Sequence, residues 1–228
     1  MKTIGLIGGM SWQSTAQYYA LINRETAKRR GGLHSAPILL DSLDFAEIEA
    51  LQSYGDWDQA AERLVNSARR LEDAGADLLL LATNTMHVVA PKIEAATDIP
   101  FLHIADPTAD ALIDDGAELV GLLGTRFTME MDFYADRLRR RDIDILVPDV
   151  DRTNLDGIIY NELCRGIIND TSRSIYIRAI ERLAARGAQA VILGCTELEL
   201  LLSDEDSPLP LYDTTALHAC SAVTYALI

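Results

Sequence analysis

Two short segments of this 228-residue chain carry side chains suited to moving a proton. In one, Cys195 follows Val191-Ile192-Leu193-Gly194 and precedes Thr196-Glu197. A thiol at the end of a strand and the start of a helix lies where the helix dipole lowers its pKa and favours the reactive thiolate. Burial in a core is the commoner fate of a free cysteine, but the position after Gly194 at a strand end favours a functional thiol. In the other segment, Thr83-Asn84-Thr85 follows Leu78–Ala82, so a hydroxyl stands at a strand end. Asn84 and Thr85 add donors that suit a carboxylate, while Thr83 equally suits a local helix N-cap. His87 has the position of a satisfied interior histidine. His34, His103 and His218 are scattered, without H-x-x-x-H or C-x-x-C spacing, so no metal site is expected. A Cys–His or Ser–His–Asp triad stays open, because its members need be near only in space.

The two segments are counterparts in a duplication. Gly5, Leu6, Gly8 and Tyr18 match Gly121, Leu122, Gly124 and Tyr134 at one fixed spacing. Arg70, Leu71, Gly75, Ala76 and Leu81 match Arg182, Leu183, Gly187, Ala188 and Leu193 at another, and in that phase Thr83 answers Cys195. Short apolar runs at Thr3–Ile7, Ile38–Leu40, Leu78–Leu81, Phe101–Ile104, Leu119–Leu123, Ile143–Val147 and Ala190–Leu193, with a weaker one at Leu209–Tyr212, are mostly uniform rather than alternating and predict parallel strands covered on both faces. Helical patterns at Trp12–Lys28, Trp57–Asp73, Thr128–Arg141, Thr153–Ile168, Ser172–Arg186 and Thr214–Leu227 alternate with them. Such alternation predicts an α/β fold. We expect two similar lobes, 1–100 plus 209–228 and 101–208, with the C-terminal helix returning to the first. Asp41–Trp57 predicts a short helix and a loop.

In such sheets ligands bind beyond the carboxyl ends of the strands. Four loops fall there: Gly8-Gly9-Met10-Ser11, Thr83-Asn84-Thr85, Gly124-Thr125-Arg126-Phe127-Thr128 and Gly194-Cys195-Thr196-Glu197. Backbone N–H groups at helix starts can hold a carboxylate. GLIGGM lacks the spacing of a dinucleotide fingerprint, and the chain contains no phosphate-binding GxxxxGK[ST]. The net charge of −15 argues against nucleic acid and anionic membrane as partners. Three cysteines without paired spacing fit a reducing compartment, and the cytoplasm is the expected location. No apolar stretch approaches the roughly 20 residues of a membrane span, and the N-terminus shows no signal peptide. Cys164 and Cys220 fall in helical stretches and read as packing residues.

Together, ATNTMH, GCTE, GLIGGMSWQST, LLGTRFTM and the terminal YDTTALHA resemble the aspartate/glutamate racemase family over essentially the whole chain. The resemblance implies two lobes with parallel four-stranded sheets flanked by helices, a pseudo-twofold duplication, and an active site in the cleft between them. It implies proton transfer at an amino acid's α-carbon without pyridoxal phosphate or any other cofactor. Family members carry a cysteine in both motifs. Cys195 matches the second, whereas Thr83 replaces the first, as in the branch resembling the L-aspartate/glutamate-specific racemase of enteric bacteria. By the same resemblance Asn84, Thr85, Thr196 and the Thr125 backbone hold the α-carboxylate. Met10, Gln52 and Glu197 lie near the substrate, Arg165 serves the distal carboxylate, and the enzyme is a homodimer acting on an acidic amino acid. A threonine hydroxyl is a poor base beside a thiol, so slow racemisation is expected. The alternatives are a broad-specificity racemase, a one-cysteine decarboxylase of disubstituted malonates, and a non-catalytic carboxylate-binding protein.

Overall fold

The computed structural model describes residues 1–228. Strands β1 (Ile4–Gly8), β2 (Ile38–Ser42), β3 (Leu78–Leu81) and β4 (Phe101–Leu102) form a parallel sheet in the order β2-β1-β3-β4. Strands β5 (Leu119–Gly124), β6 (Asp144–Leu146), β7 (Ala190–Gly194) and β8 (Leu211–Asp213) repeat that topology as β6-β5-β7-β8. The helices are α1 (Trp12–Arg30), α2 (Phe45–Tyr54), α3 (Trp57–Asp73), α4 (Ala90–Glu94), α5 (Ala105–Asp114), α6 (Arg126–Glu130), α7 (Asp132–Arg139), α8 (Arg152–Asn161), α9 (Asp170–Ala185), α10 (Leu198–Leu201) and α11 (Thr214–Leu227). The expected α/β class with two four-stranded parallel sheets is therefore observed. No helix is long and apolar enough to cross a membrane.

The sequence repeat is also a repeat of register. Ile4 pairs with Leu78 and Ile7 with Leu81 in the first sheet, as Val120 pairs with Ala190 and Leu123 with Leu193 in the second. Equivalent strands therefore end at equivalent heights, with Thr83 and Cys195 two positions beyond Leu81 and Leu193.

By its contacts the chain forms two compact units, Met1–Ile104 with His218–Ile228, and Ala105–Leu217. The boundaries expected at 100/101 and 208/209 are corrected accordingly. β4 pairs with β3 through Leu79↔Phe101, and β8 pairs with β7 through Val191↔Leu211. Each edge strand thus joins the sheet that its preceding crossover leaves, which a cut by sequence position alone misses. The later part of α11 packs Ala219, Ala222, Val223 and Ala226 against Ile4, Leu6, Tyr18 and Ile22 of the first unit.

Local sequence explains the framing helices. In α3, Ala60, Ala61, Leu64, Ala68 and Leu71 recur at helical spacing and are buried in the first unit's core. The Asp56 side chain accepts from the Gln59 N–H at its start, and Gly75, at φ +93°, ends it. The single helix expected over Thr128–Arg141 is instead two. Met131 adopts an extended conformation (φ −90°, ψ 141°) between α6 and α7. The helix expected over Thr153–Ile168 also stops early. After α8 comes a 3₁₀ turn, Leu163–Arg165, closed by the left-handed Gly166 at φ +74°.

Candidate active site

In the first unit, the loops after β1 and β3 and the buried face of α2 gather five of the expected residues. Gly9 has φ +92°, and a Cβ there would lie 2.0 Å from the Leu43 carbonyl oxygen, so only glycine lets the loop after β1 pass so close. Its N–H donates to Thr15 Oγ1 at 2.8 Å. Met10 is buried in the same core as Ile48 of α2 and Met86. Gln52, also on α2, donates from Nε2 to Met86 Sδ at 2.9 Å, while its buried Oε1 has no hydrogen-bond partner. Thr83 is 8% exposed, and its N–H donates to the Leu81 carbonyl at 2.9 Å. Asn84 stands at the start of the 3₁₀ turn Thr85–Val89 and makes no side-chain cap bond. An α-helix was expected to follow this loop directly. The α-helical turn begins only at Ala90, with Pro91 in its first turn, where a missing N–H costs nothing.

In the second unit, Gly124 and Gly194 are register partners at the ends of β5 and β7. A Cβ on Gly124 would lie 2.7 Å from the Gly194 carbonyl oxygen, so no side chain fits between these two strand ends. Thr125 and Cys195 follow them and are therefore neighbours at the carboxyl edge. Thr125 caps α6, its Oγ1 accepting from the Thr128 N–H at 3.2 Å. Cys195 Sγ donates to Glu197 Oε2 at 3.1 Å, and Thr196 Oγ1 donates to the same oxygen at 2.7 Å. All three residues are buried.

These contacts correct the expected electrostatics of Cys195. Its thiol pKa is pushed well above the ordinary value, first by burial, then by the negative charge of Glu197 and by the neighbouring Cys164 thiol. The α10 helix that follows has only four residues and begins beyond Glu197, so its dipole cannot offset the carboxylate. Cys195 is therefore a protonated thiol whose hydrogen already points at a carboxylate. Cys164, read from sequence as packing, also hydrogen-bonds Glu197 from the turn Leu163–Arg165, and burial and the Glu197 charge raise its pKa as well. No sequence spacing signals this contact. Arg165 is exposed on the same turn. Glu197, expected near the substrate, is the shared acceptor of the cluster.

The Asp/Glu/Hydantoin racemase family profile matches residues 7–222. The chain belongs to the Asp/Glu/hydantoin racemase family. The members of this isomerase family to which it is similar include a putative Asp/Glu racemase from Yersinia pestis, 52% identical, with 100% of both chains covered and a TM-score of 0.93. An aspartate racemase homologue from Pyrococcus horikoshii is 32% identical over 100% of both chains, with a TM-score of 0.85. A broad specificity amino-acid racemase of Bacillus subtilis is 25% identical over 74% of this chain and 73% of its own length. Within the family fold, two equivalent strand ends carry Thr83 on the first unit and Cys195 on the second, and Cys195 has its own carboxylate in Glu197.

Proposed function

We propose that this family member racemises an acidic amino acid, aspartate or glutamate, without a cofactor. Cys195 serves one face of the α-carbon and Thr83 the other. The observation that carries the reading is the pair of equivalent strand ends, one holding Thr83 and the other a thiol hydrogen-bonded to Glu197. Glu197 accepts the Cys195 proton, and the resulting thiolate takes the α-proton. The C–H bond breaks, its electron pair stays on the substrate, and the new S–H bond forms. The opposite face then receives a proton through the Thr83 hydroxyl, which is replenished from water because a threonine alkoxide is too basic to persist; the hydroxide so formed is neutralised by the proton held on Glu197, which restores the carboxylate. The carbanion needs donors around its carboxylate; Asn84, Thr85, Thr196 and the Thr125 backbone fill that role.

Gln52 has a buried, unpartnered Oε1 that suits the substrate ammonium group, with Met10 packed in the same core. Arg165 forms no ion pair and follows the residue bonded to Glu197, which suits a distal carboxylate. Similarity to the broad specificity racemase favours a second reading, a wider substrate range on the same two groups. The discriminating experiment is ¹H NMR loss of the α-proton across L- and D-amino acids in D₂O. Exchange confined to aspartate and glutamate supports the first reading, exchange across neutral and basic amino acids the second, and none at all contradicts both. We further propose a cytoplasmic homodimer. Exposed Trp12 and Tyr19, 68% and 56% accessible, share one face of α1 as an apolar contact surface. Sedimentation as a single 25.1 kDa species would contradict that assembly.

A further inference from the structure

We infer that His87 is a positioning residue that holds Thr83 through one neutral tautomer of its ring, an inference that rests on Thr83 being a catalytic group. The ring is buried, 1% exposed, within the turn that follows β3. Its Nδ1 lies 2.7 Å from the Thr83 carbonyl oxygen, and its Nε2 lies 3.1 Å from the Ile104 backbone nitrogen. A carbonyl oxygen can only accept, so Nδ1 must carry the hydrogen. A backbone N–H can only donate, so Nε2 must present its lone pair. The opposite tautomer loses both bonds, and the imidazolium sets a hydrogen against the Ile104 N–H.

The consequence for Thr83 follows from its backbone. Its N–H is fixed on the Leu81 carbonyl and its C=O on His87, so both peptide groups that set the direction of its side chain are held. His87 ties that loop to Ile104, the residue at which the chain leaves the first unit. His103 and Phe101 pack on the ring, with centroids 4.5 and 5.6 Å away, and limit its rotation. A hydroxyl that relays a proton is sensitive to such placement, because a shift near 1 Å in a reacting group costs up to about 100-fold in rate. A rigid ring with a donor at one corner and an acceptor at the other bridges the two backbone groups. Asparagine reproduces only the Nδ1 side and glutamine only the Nε2 side.

That difference supplies the test. In ¹⁵N-histidine-labelled protein, long-range ¹H–¹⁵N NMR should show the His87 Nδ1 protonated and its Nε2 bare. His87→Asn, which keeps a donor to Thr83, should retain kcat within about threefold. His87→Gln, which keeps an acceptor for Ile104, should lose about 10–100-fold in kcat with KM changed by less than about twofold. A ring protonated at Nε2 alone, or a folded His87→Gln enzyme with wild-type kcat, would overturn the inference even if the protein racemises. Absence of α-proton exchange in the wild type would instead remove the racemase reading, and with it the role given to Thr83.

Discussion

Glu199 offers a sharp test of the electrostatics around the candidate site. It lies on α10, two residues beyond Glu197, and its partly buried carboxyl is pushed up to about 9. Burial is the largest cause, followed by a hydrogen bond with Asp213 and the negative charges of Asp213 and Glu197. Asp213 is committed as an acceptor, its Oδ1 taking the Thr215 and Ala216 N–H groups at 2.8 and 3.1 Å at the start of α11. Glu199 therefore keeps the proton of the pair. Below its ordinary value of 4.5, folded and unfolded chains both hold that proton and stability is unaffected. As pH rises from there towards 9, the unfolded chain releases it and the folded chain does not, so stability falls by at most about 1.4 kcal/mol per pH unit. At pH 7 this amounts to roughly 3 kcal/mol, which partial solvent exposure reduces to about 1–2 kcal/mol. Glu199→Gln preserves shape and a donor to Asp213 without needing the proton. Thermal melts should show the variant about 2–8 °C more stable at pH 8, with the gain vanishing near pH 4.5. An equal or lower Tm at pH 8, or the same gain at both pH values, would refute the reasoning.

Two further outcomes follow from the same site. Glu197→Gln removes the acceptor of the Cys195 proton, so kcat should fall by about 10²–10⁴-fold in steady-state racemisation, while pH-dependent alkylation should show a more acidic Cys195. Thr83→Cys supplies a second thiol at the equivalent strand end and should raise turnover; an unchanged or lower kcat in a folded variant would contradict the view that the hydroxyl limits proton transfer.

The strand framework was legible because Leu78–Leu81 and Ala190–Leu193 are uniformly apolar and sit between helices with clear stops at Gly75 and Gly187. The matched spacings in the two halves also anticipated the register that makes Thr83 and Cys195 counterparts. Which sheet the two-residue β4 and the three-residue β8 join was not legible, since edge strands this short are defined by their partners. Met131 carries no breaking signal, yet it divides α6 from α7. The protonation of Cys195 was misjudged for a related reason. A helix start can be read from neighbouring residues, whereas burial and a carboxylate shared with Cys164 arise only when the turn at Leu163–Arg165 packs near the end of β7.

The central claim is that Cys195 moves the α-proton, and the most direct measurement is ¹H NMR of aspartate and glutamate in D₂O with wild-type protein and Cys195→Ser. A serine hydroxyl has no accessible anion near neutral pH to replace the thiolate. The wild type should exchange the α-proton without added cofactor, and the folded variant should lose that exchange by orders of magnitude. Exchange by Cys195→Ser at the wild-type rate would contradict the account.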